Sequence, residues 1–165
     1  MKLMPTAIKG LFIAETDLIS DHRGIFSRLF CERDLADAIG SRKIVQVNRS
    51  LTFSSGTVRG MHYQNTPHLE MKLVRCMQGR ILDIAIDIRA GSTTFLQWHA
   101  EELSPENSRM SIIPEGFAHG FQALEDDSEL LYLHTNFYKP GSEGAILYSD
   151  PRLAISWPLP VINLT

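Results

Sequence analysis

The stretch Lys72–Arg89, KLVRCMQGRILDIAIDIR, decides the fold class of this 165-residue chain. Its second half alternates large aliphatic residues with Asp83, an alanine and Asp87, which is the period-two pattern of a strand with two unlike faces. Gln78 and Gly79 supply a turn signal between the two halves. The stretch therefore predicts a β-hairpin whose second strand has one apolar face and one more polar face.

Similar short β-like runs occupy much of the remaining chain. They are KIVQVN, SGTVRGMHYQ, TFLQWHAEEL, RMSIIP, GFQAL and ELLYLHTNFY, and turn-forming clusters such as SSG, PEG and PG separate them. The convincing helical piece is CERDLADAIG, residues 31–40, in which Leu35, Ala38 and Ile39 share a face and Gly40 ends the helix. Many closely spaced strands after one short N-terminal helix predict an all-β sandwich or barrel.

Composition favours one domain spanning residues 1–165. With 44% apolar residues the chain can bury a core without disulfides or a structural metal, and we find no repeat or linker. The net charge of −3, with both signs interspersed, argues against a nucleic-acid or anionic-membrane partner. Cys31 and Cys76 form no metal or redox motif, and no leader or spanning segment is evident, so we expect free thiols and a cytoplasmic protein.

Two histidines lie in glycine-rich stretches between strands, His62 in VRGMHYQ and His119 in IIPEGFAHGF. The spacing from Pro114 to His119 matches the second cupin motif, which predicts a cupin-like jelly-roll barrel. Metal-binding cupins place a second histidine two residues after the first, but this chain has Gln64 there, and glutamine is a poor transition-metal ligand. Glu70 remains a candidate ligand, yet we expect neither a metal nor another cofactor.

Without a metal, His62 is a candidate general base that needs an acid and a group to hold negative charge. Tyr132 is a candidate acid, or a core tyrosine whose hydroxyl reaches the rim. Lys72 could stabilise an enolate, with Asp83 as its buried partner, or could be an ordinary lysine at a strand start. The sequence alone leaves these alternatives open.

Arg23 and Arg59 each neighbour a glycine, so the pair suits a diphosphate, although either alone is an ordinary surface charge. Strand alternation puts Arg59 and His62 on opposite faces unless the backbone twists or bulges beside Gly60. The other four histidines, His22, His68, His99 and His134, have contexts typical of structural or solvent-facing residues.

A set of ordered motifs extends over nearly the whole chain. They are DxRGxF from Asp21 to Phe26, VQxN from Val45 to Asn48, RGMHYQ, KLVR, QGRILDIAIDIR, LSPEN, IPEGFAHGF, LYLHTNFYKP, EGAI and DP. Together they closely resemble the dTDP-4-dehydrorhamnose 3,5-epimerase family of nucleotide-sugar epimerases. The resemblance implies a metal-independent cupin that forms a homodimer, in which N-terminal segments of one subunit help to build the other's site.

The resemblance also implies residue roles. His62 matches the base that removes the proton next to a 4-keto group, Tyr132 the acid that returns one, and Lys72 the lysine near the enolate oxygen. Tyr138 matches the tyrosine that stacks at the bound nucleotide-sugar. The family pattern for binding the nucleotide and its diphosphate falls on Arg23, Phe26, Gln46, Asn48, Arg59, His119 and Glu143.

The chain departs from the family pattern in three places. Arg28 stands where the family has a glutamate, and Leu133 and His134 follow the catalytic tyrosine where the family reads lysine and threonine. The family's LSxKD stretch, whose aspartate pairs with the catalytic histidine, does not follow the WP segment here. We therefore expect either Asp83 or Glu70 to orient His62, or a rate lower by orders of magnitude.

These features predict epimerisation at carbon 3, carbon 5 or both of a dTDP-linked 4-keto-6-deoxy sugar, as in the biosynthesis of dTDP-rhamnose or a related deoxysugar. The alternatives are a single-carbon epimerase acting on another nucleotide keto sugar, and a cupin that binds nucleotide-sugars with little catalysis.

Overall fold

The computed structural model describes residues 1–164, and nearly all regular structure in this range is β. The strands, in chain order, are β1 (Lys2–Pro5), β2 (Phe12–Glu15), β3 (Ile19–Asp21), β4 (Gly24–Phe26), β5 (Gln46–Thr52), β6 (Val58–Gln64), β7 (Lys72–Gln78), β8 (Ile81–Asp87), β9 (Trp98–Leu103), β10 (Arg109–Ile113), β11 (Phe117–Ala123), β12 (Ser128–His134) and β13 (Glu143–Ala145). One helical turn, α1 (Ala36–Ile39), lies between β4 and β5. Within the described range, no helix has the length and apolar character needed to cross a membrane.

Two antiparallel sheets face each other across the main core. One has the order β1-β2-β10-β7-β12-β5 and the other β13-β6-β11-β8-β9, while β3 and β4 form a separate two-stranded sheet. Val74 and Leu130 of the six-stranded sheet pack with Ile81 and Phe121 of the five-stranded sheet. This arrangement confirms the predicted all-β, cupin-like jelly roll.

The predicted hairpin of β7 with β8 is wrong. β7 pairs with β10 and β12, whereas β8 pairs with β9 and β11, so the turn at Gln78 and Gly79 carries the chain from one sheet to the other. Alternation and a turn signal predict two strands but not their pairing. Crossing between the sheets lets both strands place apolar residues in the same core, where Cys76 and Ile81 join one cluster.

The two faces of β8 differ, as predicted, but neither is a solvent face. Ile84 and Ile86 pack in an outer cluster with Leu153 and Trp157 of the C-terminal segment. The opposite face carries Asp83, which is only 2% exposed, into the interior between the sheets. The more polar face of β8 therefore points into the interior of the barrel.

The helix is shorter than the predicted stretch at residues 31–40. It comprises one turn, and Leu35, Ala38 and Ile39 pack against the outer face of the six-stranded sheet. Gly40 follows with a φ of 58°, a conformation in which glycine has no steric penalty. The helix thus covers this sheet from outside, and the interior remains available for polar side chains.

Candidate active site

A β-bulge between β6 and β11 brings two predicted site residues to one cavity. His62 lies opposite His119 and Arg59 opposite Phe121, so Gly60 and Met61 together face the single residue between them on β11. Gly60 has a φ of 128°, and a Cβ atom there would lie 2.4 Å from the Gly120 Cα. The extra residue overrides strict alternation, which confirms the bulge expected beside Gly60.

The cavity has a volume of about 300 Å³. Both sheets line it, with Asn48, Arg49, Ser50, Lys72, Tyr132 and His134 on the six-stranded side and Arg59, His62, His119 and Phe121 on the five-stranded side. Six of the residues predicted from the sequence are brought together here. We call these two surfaces the six-strand wall and the five-strand wall.

His62 lies on the five-strand wall and is exposed to solvent. Its side chain has no hydrogen-bonding partner among residues 1–164. Partial burial lowers the pKa of His62, electrostatic interaction with Lys72 and then with His119 lowers it further, and Glu143 acts in the opposite direction. A lowered pKa keeps the imidazole neutral near pH 7, which is the form that accepts a proton.

His119 is buried beside His62, and its Nε2 donates to the Asp83 Oδ1 at 2.6 Å. The expectations that Asp83 pairs with Lys72 or orients His62 are therefore wrong. The topology gives the reason, because β11 lies between β8, which carries Asp83, and β6, which carries His62. Asp83 instead fixes the orientation of another predicted binding residue.

Tyr132 lies on the six-strand wall, with its ring packed against the main core and its hydroxyl 3.1 Å from the Ser50 Oγ. Burial raises the pKa of Tyr132 to about 12, and the hydrogen bond with Ser50 acts in the opposite direction. The hydroxyl therefore keeps its proton at neutral pH. The ring belongs to the core as one interpretation expects, and the residue also lines the cavity, where a role as the acid stays a prediction.

Glu70 is the partner of Lys72. The Lys72 Nζ lies 3.2 Å from the Glu70 Oε1, and the His134 Nδ1 lies 2.7 Å from the Glu70 Oε2. Glu70 therefore does not orient His62, contrary to the second expectation for that role. His134 is a cavity residue that sequence reasoning missed, although its two-residue spacing from Tyr132 places both on one strand face.

Arg59 carries a positive charge toward the cavity without a carboxylate partner in the described range. Its Nε donates to the Thr52 Oγ1 at 3.1 Å, and its Nη2 donates to the Leu51 carbonyl at 3.4 Å. Both acceptors are neutral, so the guanidinium remains available to an anion. On β5, the Gln46 Nε2 donates to the Asn48 Oδ1 at 3.3 Å.

Five predicted binding residues lie outside the cavity lining, namely Arg23, Phe26, Gln46, Tyr138 and Glu143. Tyr138 and Glu143 are exposed, although the Tyr138 backbone N–H donates to the Gln46 Oε1 at 3.2 Å. Arg23 and Phe26 belong to the β3–β4 hairpin, where both are exposed and Arg23 pairs with Asp21 at 2.6 Å. The structure does not bring that hairpin to the cavity of its own chain.

Arg28, which stands where the family has a glutamate, donates to the Asp34 Oδ2 at 3.2 Å. The same carboxylate accepts a hydrogen bond from the N-terminal amine.

Across residues 1–164, no group of three or more histidine, cysteine, aspartate or glutamate side chains is arranged to hold a metal ion.

Comparisons with known proteins identify the family of this chain. A family model described as dTDP-4-dehydrorhamnose 3,5-epimerase matches residues 5–165. The enzyme of that name from Salmonella typhimurium is 43% identical over 160 residues, which cover 96% of this chain and 86% of the relative. The Shigella flexneri enzyme is 42% identical and covers 96% and 88%, respectively.

Solved structures give the same result. A Legionella pneumophila dTDP-6-deoxy-D-glucose-3,5-epimerase, crystallised with dTDP-4-keto-L-rhamnose, superposes with a TM-score of 0.94 at 40% identity, covering 99% of this chain and 87% of that one. A 3'-monoepimerase from Streptomyces bikiniensis in complex with dTDP-quinovose has a TM-score of 0.90 at 32% identity, covering 98% and 82%. This chain therefore belongs to the dTDP-4-dehydrorhamnose 3,5-epimerase family.

Proposed function

We propose that this protein inverts carbon 3, carbon 5 or both of a dTDP-linked 4-keto-6-deoxy sugar. One observation carries the proposal, namely that His62 on the five-strand wall and Tyr132 on the six-strand wall line one cavity, and the directions of their pKa shifts suit a base and an acid. A ketone acidifies the carbons beside it. Inversion then needs a base on one side of the ring and an acid on the other, which suits His62 and Tyr132.

In this mechanism His62 removes the proton next to the 4-keto group, and the electron pair moves onto the ketone oxygen as an enolate. Lys72 faces that oxygen and stabilises its negative charge. Tyr132 then donates its proton to the opposite face of the same carbon, which restores the ketone. Proton exchange with solvent then returns His62 to its neutral form and Tyr132 to its protonated form. The proton transfers balance without an oxidant or a reductant, so we propose a reaction that needs no cofactor.

Arg59 binds the diphosphate in this proposal, because its guanidinium lacks an acidic partner within residues 1–164 and can donate two hydrogen bonds to phosphate oxygens. Gln46, Asn48 and His119 contribute polar contacts around it, and Tyr138 and Glu143 meet the nucleotide-sugar at the rim. Binding energy from the nucleotide then holds the sugar against His62 and Tyr132.

We also propose a homodimer in which the β3–β4 hairpin enters the partner's site. The hairpin exposes Ile19, Ile25 and Phe26, each at least 65% accessible, and its Arg23 lies apart from the cavity lining of its own chain. An exposed apolar hairpin with a basic tip suits a partner site that binds an anion.

Subunit complementation tests this arrangement. Arg23→Glu and His62→Ala each inactivate a homodimer, but a mixed dimer has one intact site if the hairpin is exchanged. Co-expression of the two variants should then restore roughly a quarter of the wild-type activity, the statistical share of intact sites. No recovery in a mixture whose mixed dimers are confirmed by mass spectrometry would contradict hairpin exchange.

The activity is tested by incubating the protein with dTDP-4-keto-6-deoxyglucose in deuterated water and following carbons 3 and 5 by NMR. Deuterium at both carbons supports a 3,5-epimerase. Deuterium at one carbon supports the second candidate, a single-carbon epimerase, an activity named for the structurally similar 3'-monoepimerase. Binding of dTDP without exchange would instead indicate a nucleotide-sugar-binding protein.

We propose a cytoplasmic location. Cys31 and Cys76 are both free, and a reducing compartment keeps such thiols unpaired.

A further inference from the structure

Three charged or titratable side chains form a largely buried cluster that includes the proposed catalytic residue Lys72. Glu70, Lys72 and His134 have side chains only 8%, 15% and 11% exposed. One Glu70 oxygen lies 3.2 Å from the Lys72 Nζ, and the other lies 2.7 Å from the His134 Nδ1. Lys72 and His134 are also directly opposed on β7 and β12, so the strand register holds the two side chains side by side.

Glu70 is the ionised centre of this cluster. Burial alone would raise its pKa, but the hydrogen bond from His134 and the charge of Lys72 outweigh burial and lower it. A carboxylate only accepts hydrogen bonds, so the His134 Nδ1 must donate. The His134 Nε2 then faces the Asn48 Nδ2 at 3.4 Å, which links the cluster to strand β5.

We propose that Glu70 and His134 are positioning residues for Lys72. The proposal rests on the proposed function, since Lys72 has a catalytic role only if an enolate forms. A lysine ammonium has three donors on a flexible stem, and Glu70 engages one of them. The other two donors remain available to the enolate oxygen. The ion pair with Glu70 restricts the ammonium group to fewer orientations, so more of them point a donor at that oxygen.

His134 keeps Glu70 in a single geometry. Its Nδ1 donates a hydrogen bond to the second carboxylate oxygen. Glu70 therefore cannot turn both oxygens toward Lys72 and draw the ammonium group out of the cavity. Without this donor the carboxylate loses one of its two partners in a buried setting. The imidazole therefore acts through Glu70 on Lys72 and does not itself exchange protons with the sugar.

The test compares two substitutions of His134. Leucine has a similar size and no donor, whereas the asparagine amide can replace the Nδ1 donor. His134→Leu should lower kcat for deuterium incorporation about 10- to 100-fold, as removal of a supporting shell does elsewhere. KM should stay within about threefold because the diphosphate contacts are untouched. His134→Asn should keep kcat within about threefold of wild type.

His99→Leu is the matched control, because His99 forms a similar pair with Glu101 at 3.2 Å outside the cavity. This substitution should leave kcat unchanged. If His134→Leu does not fold, Glu70→Gln replaces it with the same expected split between kcat and KM. Wild-type kcat in His134→Leu, or equal losses in the leucine and asparagine variants, would overturn the positioning role. Absence of exchange in the wild-type protein would overturn the proposed function and this role with it.

Discussion

The two walls of the cavity hold their titratable groups in different ways. On the five-strand wall, His62 is exposed and has no side-chain partner within the described range. On the six-strand wall, Tyr132 and Lys72 are fixed by Ser50 and Glu70. The base and the acid both change charge during turnover, but solvent access lets His62 exchange the proton that it removes, whereas the contacts of Tyr132 and Lys72 hold these side chains in fixed positions. The comparison predicts different consequences for substitutions on the two walls.

The largest effect is expected on the five-strand wall. His62→Ala removes the base, so deuterium incorporation at both carbons should fall about 10³-fold or more. Binding of dTDP, measured by calorimetry, should remain within about twofold because the diphosphate contacts persist. Turnover close to wild type would show that another group on this wall removes the proton.

Tyr132→Phe should separate the two walls. The variant loses the acid while His62 remains, so epimerisation should fall about 10²- to 10³-fold. Proton removal should continue, and deuterium should enter the substrate without inversion more readily than in His62→Ala. Measuring exchange and inversion in the same NMR sample gives both rates. Equal loss of exchange in the two variants would contradict the division of roles between the walls.

The bulge on the five-strand wall should also be sensitive. In Gly60→Ala the new Cβ would lie 2.4 Å from the Gly120 Cα and 2.8 Å from the His119 carbonyl oxygen. We expect a loss of about 2–4 kcal/mol in the free energy of unfolding, measured in urea. Gly24→Ala is the matched control, because Gly24 has a φ of 139° with nothing within 4 Å. Equal losses in both variants would assign the effect to backbone conformation alone.

Local sequence patterns could predict the strands but not their partners. The alternation around Ile84 and Ile86 identifies β8 as a strand. The partners of β8 are β9 and β11, and a pattern within the β7–β8 stretch contains no information about them. The turn at Gly79 is compatible with a hairpin or with a crossing between sheets. Only the need to bury both strands in one core decides between them.

The site was predictable to the extent that its residues lie on one strand face or match family motifs. His62, Tyr132, Lys72 and Arg59 do line one cavity. The ion pairs were not predictable, since Glu70 lies in the loop before β7 and only the fold brings it between Lys72 and His134. Asp83 was assigned to the wrong partner for the same reason, because strand order decides which side chains are neighbours.

Arg59→Ala should have a moderate effect that falls on binding. The guanidinium has no acidic partner within residues 1–164, so its removal leaves no unpaired carboxylate behind. We expect KM and the dissociation constant for dTDP to rise about 10- to 100-fold with little change in kcat. Isothermal titration with dTDP and with thymidine isolates the diphosphate contribution. Equal loss of affinity for both would exclude Arg59 from the phosphate site.

The smallest expected effect is a shift in pH dependence. The pKa of His62 is lowered from its ordinary value of 6.5 by burial, Lys72 and His119, and only Glu143 is identified as raising it. Because His62 acts as the neutral base, kcat/KM should fall as the pH drops through a value below 6.5. Glu143→Gln removes the opposing charge and should move this acid limb to still lower pH by less than about one unit. A shift to higher pH in Glu143→Gln would show that Glu143 does not raise the pKa of His62.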